Sequence, residues 1–539
     1  MRPAPGTAPV GPAEGEAPQP DQATASPGNA TASPGNATAR PGNATARSGH
    51  VPARSGHATA SPGQGPARSS QLSPAERIEL LCDAGSVRTI RSLARSRLAA
   101  ASRAGDGVLA ASGTVAGRPV LCYAQDYAFL GGSLGEAHAD TIVRTIDLAG
   151  RAGVPVFALI ESAGARVQEA AAALNGYARI FRRIVGLSGR IPQISILSGI
   201  SAGGGSYSPA LTDFVVMARS ATMFLTGPEV VGAALGERTT MDELGGAAVH
   251  ARNGVCDLVA PSPADALALG RELLAYLPQS SREAPPAAAP APPAIADPAS
   301  GVPAAVRNVY DVRDVIAGVV DGGELLELSP LWARSLLTGF ARLQGRSIGV
   351  LANQPRHKGG AIDLDAAQKG ARFIRTCDAF GLPLVVLVDT PGFLPGSNQE
   401  QRGIIRHGAD LVRAFAGARV PKVTVILRQA FGGAYIAMNG FDLGADFTLA
   451  WRDARIGIMS ALQTVGIVNR REIAAAPEPA AHKHELAERY AIERQTAQAV
   501  AGEGFIDEVI DPRDTRDRLS AVLETLGSGY AGAVERKIA

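Results

Sequence analysis

Two glycine clusters, each placed directly after an apolar strand pattern, are the residues of this chain best suited to chemistry. At 191–208 the chain reads IPQISILSGISAGGGSYS, and at 420–437 it reads VPKVTVILRQAFGGAYIA. The step from Pro192 to Gly203 equals the step from Pro421 to Gly432, eleven residues in each case. Glycine opens backbone conformations closed to other residues and removes the Cβ that would block an approaching ligand. If a helix begins at the cluster, its first amide N–H groups lack internal acceptors and point outward, aided by the helix dipole. Such a cradle suits an oxyanion, an enolate or a tetrahedral oxygen, and one donor there is worth about 3 kcal/mol. A tight turn or close packing would need the same glycines, so spacing alone leaves both readings open.

Other chemically suggestive residues have plainer explanations. GGSLG at 131–135 fits a nucleophile-elbow pattern around Ser133. Ser133 and Glu136 also fit a capping box ahead of a helical run from Leu134, and that reading is preferred. His138 and His407 have no motif around them and read as surface or packing residues. Glu161 and Asp389 close matching strands, where carboxylates commonly bond loop amides. Arg166 pairs most simply with Glu169 at i+3. No GxxxxGK[ST] phosphate loop occurs.

The elements that must carry the clusters also come twice. GVPVFALIESAG at 153–164 follows a helical run, DTIVRTIDLAGRA, and GLPLVVLVDTPGF at 381–393 follows AAQKGARFIRTCDAF. The separation between the matching strands agrees with that between the matching clusters to within one residue. Whole-domain duplication is the simplest account. Short apolar strands alternating with helical stretches predict βα units, an α/β fold with sheets covered by helices.

Residues 23–64 form six tandem seven-residue units such as ATASPGN and ATARSGH, with proline and glycine recurring and no apolar a/d pair. Composition predicts a disordered tail over 1–70. A second breaker-rich segment, EAPPAAAPAPPAIADPASGVP at 283–303, predicts an extended, stiff linker that buries almost nothing. The expected organisation is a tail (1–70), a first domain (71–280), a linker (281–303) and a second domain (304–539).

With 52 Lys and Arg against 50 Asp and Glu, the net charge of +2 gives no electrostatic case for nucleic acid or an anionic membrane. The four cysteines stand apart without a CxxC pair, which argues against a zinc ribbon or a disulfide framework and fits a reducing cytoplasm. No apolar run reaches the length of a spanning helix and no signal core opens the chain, so a cytoplasmic protein that binds no metal is expected.

From about Ser73 onward the chain resembles the carboxyltransferase β subunits of biotin-dependent acyl-CoA carboxylases, of the propionyl-CoA and acetyl-CoA carboxylase type. The resemblance runs through GGSLGEAHA (131–139), GARVQE (164–169), AGGGSYSPALTDF (202–214), LTGPEVV (225–231), MDELGGA (241–247), ARFIRTCDAF (371–380), VDTPGFLPG (388–396) and AFGGAY (430–435). It implies tandem crotonase-like ββα-spiral domains, with acyl-CoA on the first and biotin on the second domain of a neighbouring subunit, in a homo-hexamer. It also implies transfer of a carboxyl group from carboxybiotin to the α-carbon of a short acyl-CoA through an enolate. Gly203 and Gly204 match the family's thioester oxyanion hole, and Gly433 and Ala434 its biotin hole; Ala202, Gly205, Tyr435 and Ile436 would lie against the substrates. Biotin would be carried on a separate α subunit with biotin carboxylase, since no Ala-Met-Lys-Met site occurs here.

Three departures stand out. Propionyl-type members have Asp directly after GGAY, lining the acyl pocket, where this chain has Ile436. MSALQTVG at 459–466 replaces the small residues of MGAxGAV by Leu462, Gln463 and Thr464, which is expected to narrow a pocket. The repeat tail stands in place of the usual N-terminal arm. A malonyl-type thioester decarboxylase using only the first cradle, and a noncatalytic scaffold, remain as alternatives.

Overall fold

The computed structural model describes residues 72–96 and 102–536; the seven-residue repeats, and with them the expected disordered tail, lie outside these. Two eight-stranded sheets of one design account for the described chain. The first comprises β1 (Arg88–Ile90), β2 (Val108–Val115), β3 (Arg118–Gln125), β4 (Val156–Ser162), β5 (Gln193–Ala202), β6 (Phe214–Ala218), β7 (Thr222–Phe224) and β8 (Leu258–Ala260). Its order is β1-β2-β3-β4-β5-β6-β8, with β7 pairing the far end of β5. The second comprises β9 (Leu325–Leu328), β10 (Leu336–Leu343), β11 (Arg346–Asn353), β12 (Leu384–Thr390), β13 (Lys422–Phe431), β14 (Phe447–Trp451), β15 (Arg455–Gly457) and β16 (Glu508–Ile510). Read from β9 to β16, its order repeats the first, with β15 on the end of β13.

In each sheet an antiparallel entry, β1 to β3 or β9 to β11, passes into parallel strands through a helix, Glu136–Ala152 or Leu364–Ala379. Parallel strands need such crossovers, and helical cover explains why β4 and β12 are buried along their whole length. The same irregularity recurs in both copies, between Ile160 and Ser162 on β4 and between Val388 and Thr390 on β12. Duplication therefore extends to a local backbone defect.

The halves meet at an aromatic seam. Phe340 of the second half stands 5.9 Å from Phe214 of the first and 5.4 Å from Phe373, centroid to centroid. Beside it, Arg372 Nη2 donates to Asp257 Oδ2 at 3.1 Å and to the Asp213 carbonyl at 3.2 Å. Lys369 is buried and donates to the carbonyls of Ser329 and Trp332 at 3.0 and 3.1 Å. Burial pushes the Asp213 carboxyl up to about 7 and the Lys369 amine down to about 8.

The proline- and alanine-rich segment contains neither helix nor strand and turns over 298–301, but it is not a bare spacer. Ala288 N donates to Gly345 O at 2.8 Å, Ala294 N to Ala317 O at 3.0 Å, and Gly322 N to Pro292 O at 2.9 Å. Pro298 is buried and Val302 packs on the second-half core. The expectation that it buries almost nothing is corrected: it is a strap over the second half, because its amides and carbonyls need partners once covered.

Candidate functional site

Both glycine clusters stand where a strand becomes a helix. In the first half, β5 ends at Ala202, Gly203 turns the chain at φ +58, and a helix runs over Gly204–Ala210. The turn needs glycine because other residues rarely adopt that φ. Gly203 is the exception among the expected donors: its amide is taken by Phe224 O on β7 at 3.0 Å. The first-turn amides of Gly204 and Gly205 are the ones without an intrahelical acceptor. Of the expected pair Gly203 and Gly204, Gly203 thus bonds β7, and Gly204 stands in the first turn with Gly205 beside it. Behind them, a Cβ on Gly204 would come within 2.9 Å of the Tyr177 ring, too close without movement. Ser206 fastens the turn by donating its hydroxyl to Phe224 O at 2.8 Å and Ser201 O at 2.9 Å.

In the second half β13 ends at Phe431, Gly432 takes φ +61, and the helix spans Gly432–Ala437. Gly432 occupies the place of Gly203, so Gly433 and Ala434 correspond to Gly204 and Gly205. The ring behind this cradle is Phe393, 3.7 Å from where a Gly433 Cβ would lie. Gly432, Gly433, Tyr435 and Ile436 line a cavity of about 660 Å³, with Ile456, Ile458 and Phe505 as apolar wall and Arg494 and Glu503 contributing charge. Leu462, Gln463 and Thr464 are not among its lining residues. They sit on the helix Ala461–Val468, where Thr464 Oγ1 donates to Ser460 O at 3.2 Å.

Side chains with suspected acid or base roles are occupied. Glu161 and Asp389 do not simply bond loop amides: each is buried beside an arginine. Arg428 Nε donates to Asp389 Oδ2 at 2.8 Å, and Arg77 Nη2 lies 3.7 Å from Glu161 Oε2. Burial pushes the Asp389 carboxyl up, and Arg428 opposes that. Arg166 does pair with Glu169, at 2.8 Å, and also with buried Asp106 at 2.8 Å. His138 is fully buried and held neutral, its imidazole pushed down to about 3 by burial and by Arg166. His407 Nδ1 lies 3.1 Å from Gln368 Nε2.

Ser133 is not a helix cap. The helix begins at Glu136 after Gly135, and the Glu136 amide donates to the Glu169 carboxylate at 2.5 Å. That carboxylate arrives from the 3-10 turn Val167–Glu169, 33 residues on, and replaces the local serine. Among the described residues no group of three or more His, Cys, Asp or Glu is arranged to hold a metal ion, and no helix is long and apolar enough to cross a membrane.

Tandem crotonase-like units of this design are the fold of a solved carboxyltransferase. The family model described as "Carboxyl transferase domain" matches residues 68–537. The chain is 44% identical over 477 residues to the propionyl-CoA carboxylase carboxyltransferase subunit of Haloferax mediterranei, covering 87% of this chain and 92% of that one. It is 45% identical over 424 residues to the methylmalonyl-CoA carboxyltransferase 12S subunit of Propionibacterium freudenreichii, covering 78% and 80%. A transcarboxylase 12S crystal structure, described as a hexamer with methylmalonyl-coenzyme A bound, superposes with a TM-score of 0.82 at 42% identity, over 85% of this chain and 90% of that one. This chain belongs to the carboxyl transferase domain family and is a carboxyltransferase of the biotin-dependent acyl-CoA carboxylase type.

Proposed function

We propose that this chain transfers a carboxyl group from carboxybiotin, carried on a separate α subunit, to the α-carbon of a short acyl-CoA. The amides of Gly204 and Gly205 hold the thioester oxygen as it becomes an enolate. Gly433 and Ala434 hold the biotin ureido oxygen. Each pair is worth most where negative charge develops, since fixed donors in a water-poor site need no reorganisation. The second cavity suits a neutral cyclic urea on an apolar bicycle: Gly432 and Gly433 at one end, and Ile436, Ile456 and Ile458 along the wall. Biotin supplies the carboxyl group and a ureido nitrogen able to take the α-proton. A protein base is then unnecessary, in keeping with neutral, buried His138 and the paired carboxylates.

The supporting observation is the matched register of the two cradles, Gly203 with Gly432 and each following amide with its counterpart. A hexameric assembly is part of the proposal. The helix Pro228–Leu235 follows β7 and has no buried residue, though it is largely apolar; Ala461–Val468 follows β15 and buries only Val465. Such faces next to both cradles suit coverage by neighbouring subunits that bring a first cradle to a second.

The test is bicarbonate incorporation into acetyl-, propionyl- and butyryl-CoA with candidate biotinylated α subunits. Incorporation that needs both subunits is the expected result. Release of CO₂ from methylmalonyl-CoA at a catalytic rate by the chain alone would favour a biotin-independent decarboxylase instead. An assembled complex whose activity ignores a bulky residue at position 204 would point to a scaffold.

A further inference from the structure

Arg428 lies on β13 four positions before Gly432 and is buried. A guanidinium keeps its charge at any ordinary pH, so its burial demands partners. Its Nε donates to Asp389 near the end of β12 at 2.8 Å. Its Nη1 donates to the carbonyls of Asn308, Pro303 and Ala305 at 2.9, 3.3 and 3.4 Å, and its plane lies 4.7 Å from the Tyr310 ring centre. One side chain thus joins the end of β12, the end of β13 and the tail of the strap. The loop after β12 leads to Phe393, the ring behind Gly433, so both the turn and the backing of the second cradle leave strands that Arg428 ties together.

The first half solves the same problem differently. In matched register the place of Arg428 is held by Gly199 on β5, where a Cβ would fall 3.0 Å from the Glu161 Cγ. That gap admits the longer acid, and its arginine, Arg77, comes from the helix Pro74–Leu81. No side chain of β5 at that position links its cradle to another segment.

We propose that Arg428 is a positioning residue for the second cradle, holding the ends of β12 and β13 together through Asp389 and locking both to residues 303–310. Its planar fork serves a carboxylate and carbonyls at once, which the point charge of a lysine does not. The functional consequence rests on the carboxyl-transfer reading; the structural one does not.

Arg428→Lys and Arg428→Met in the full chain test both. Amide hydrogen exchange over 429–438 is expected to accelerate by about tenfold or more while 200–210 exchanges as in the wild type, since local opening follows local tethering. Unchanged exchange at 429–438, or equal acceleration in both segments, overturns the proposal. Should Arg428→Met not fold, Arg428→Lys and Asp389→Asn carry the same readout. With a biotinylated α subunit, Arg428→Met is expected to lower kcat about tenfold with the acyl-CoA KM within about twofold, and Arg428→Lys to recover part of the loss. An acyl-CoA KM that rises as kcat falls overturns the positioning role. A wild-type chain inactive with every partner sinks the carboxyl-transfer reading and leaves the exchange result to judge Arg428.

Discussion

The first cradle is backed tightly, with the Tyr177 ring filling the space a Gly204 side chain would need, whereas the second has room behind Gly433 and opens on a cavity of about 660 Å³. Beneath the first, a glycine on the central strand and an arginine from a distant helix accommodate the buried acid; beneath the second, the strand supplies its own arginine. Strand order, the bulge and the turn at positive φ are nonetheless common to both. Backbone amides present the same donor whatever side chains surround them. A duplicated cradle can therefore keep its electrostatics while its walls diverge to receive a different molecule.

The comparison can be broken most forcefully at Arg77. Arg77→Met leaves Glu161 without its guanidinium partner in a buried site, and a loss of about 3–5 kcal/mol in unfolding free energy is expected from denaturant titration. A loss below about 1 kcal/mol would mean the two acids are not equivalent. Next in size, Gly204→Val should cost on the order of 100-fold in kcat/KM for acyl-CoA by distorting the donor pair against Tyr177. Gly433→Val meets only ordinary contacts, so its circular dichroism and melting should stay native while partner-dependent transfer falls about as far.

Ile436→Asp probes the divergent wall. It places a carboxylate in the apolar cavity proposed for biotin, and a change of about tenfold in kcat/KM for the biotinylated α subunit is expected, with the acyl-CoA KM within about twofold. The smallest effect concerns the seam. Asp213 has its carboxyl pushed up to about 7 in the folded protein, above the ordinary 3.8. The folded state then holds a proton that the unfolded chain has released, so this contribution to stability is full at acid pH and fades as pH rises through 7. Asp213→Asn should flatten the decline in Tm between about pH 4 and 7, measured by calorimetry, and leave the behaviour above pH 8 unchanged.

Much of this architecture was legible because its signals are local. Buried parallel strands read as short apolar runs, and the step from Pro192 to Gly203 marked each strand-to-helix turn. Matching that step strictly would also have paired Gly205 with Ala434. What the sequence hid lies between distant residues. The amide of Gly203 is spent on β7, a three-residue strand too short to announce its register. Glu169 displaces Ser133 at a helix start, and Arg77 and Arg428 find their acids 84 and 39 residues away. Composition placed no helix or strand in 283–303, but composition carries no information on which backbone groups the segment will meet.

The strap has a practical consequence for dissecting the molecule. Up to Ser281, whose amide donates to Arg190 O at 2.9 Å, the chain still bonds the first half; from Pro286, whose carbonyl receives Ser347 Oγ at 3.1 Å, it bonds the second. A nick between these points would yield two fragments that each keep their own wrapping and could re-dock through Phe214, Phe340 and Phe373. A nick near Ala305 would instead leave the C-terminal fragment unclothed and the other trailing a ribbon with nothing to wrap.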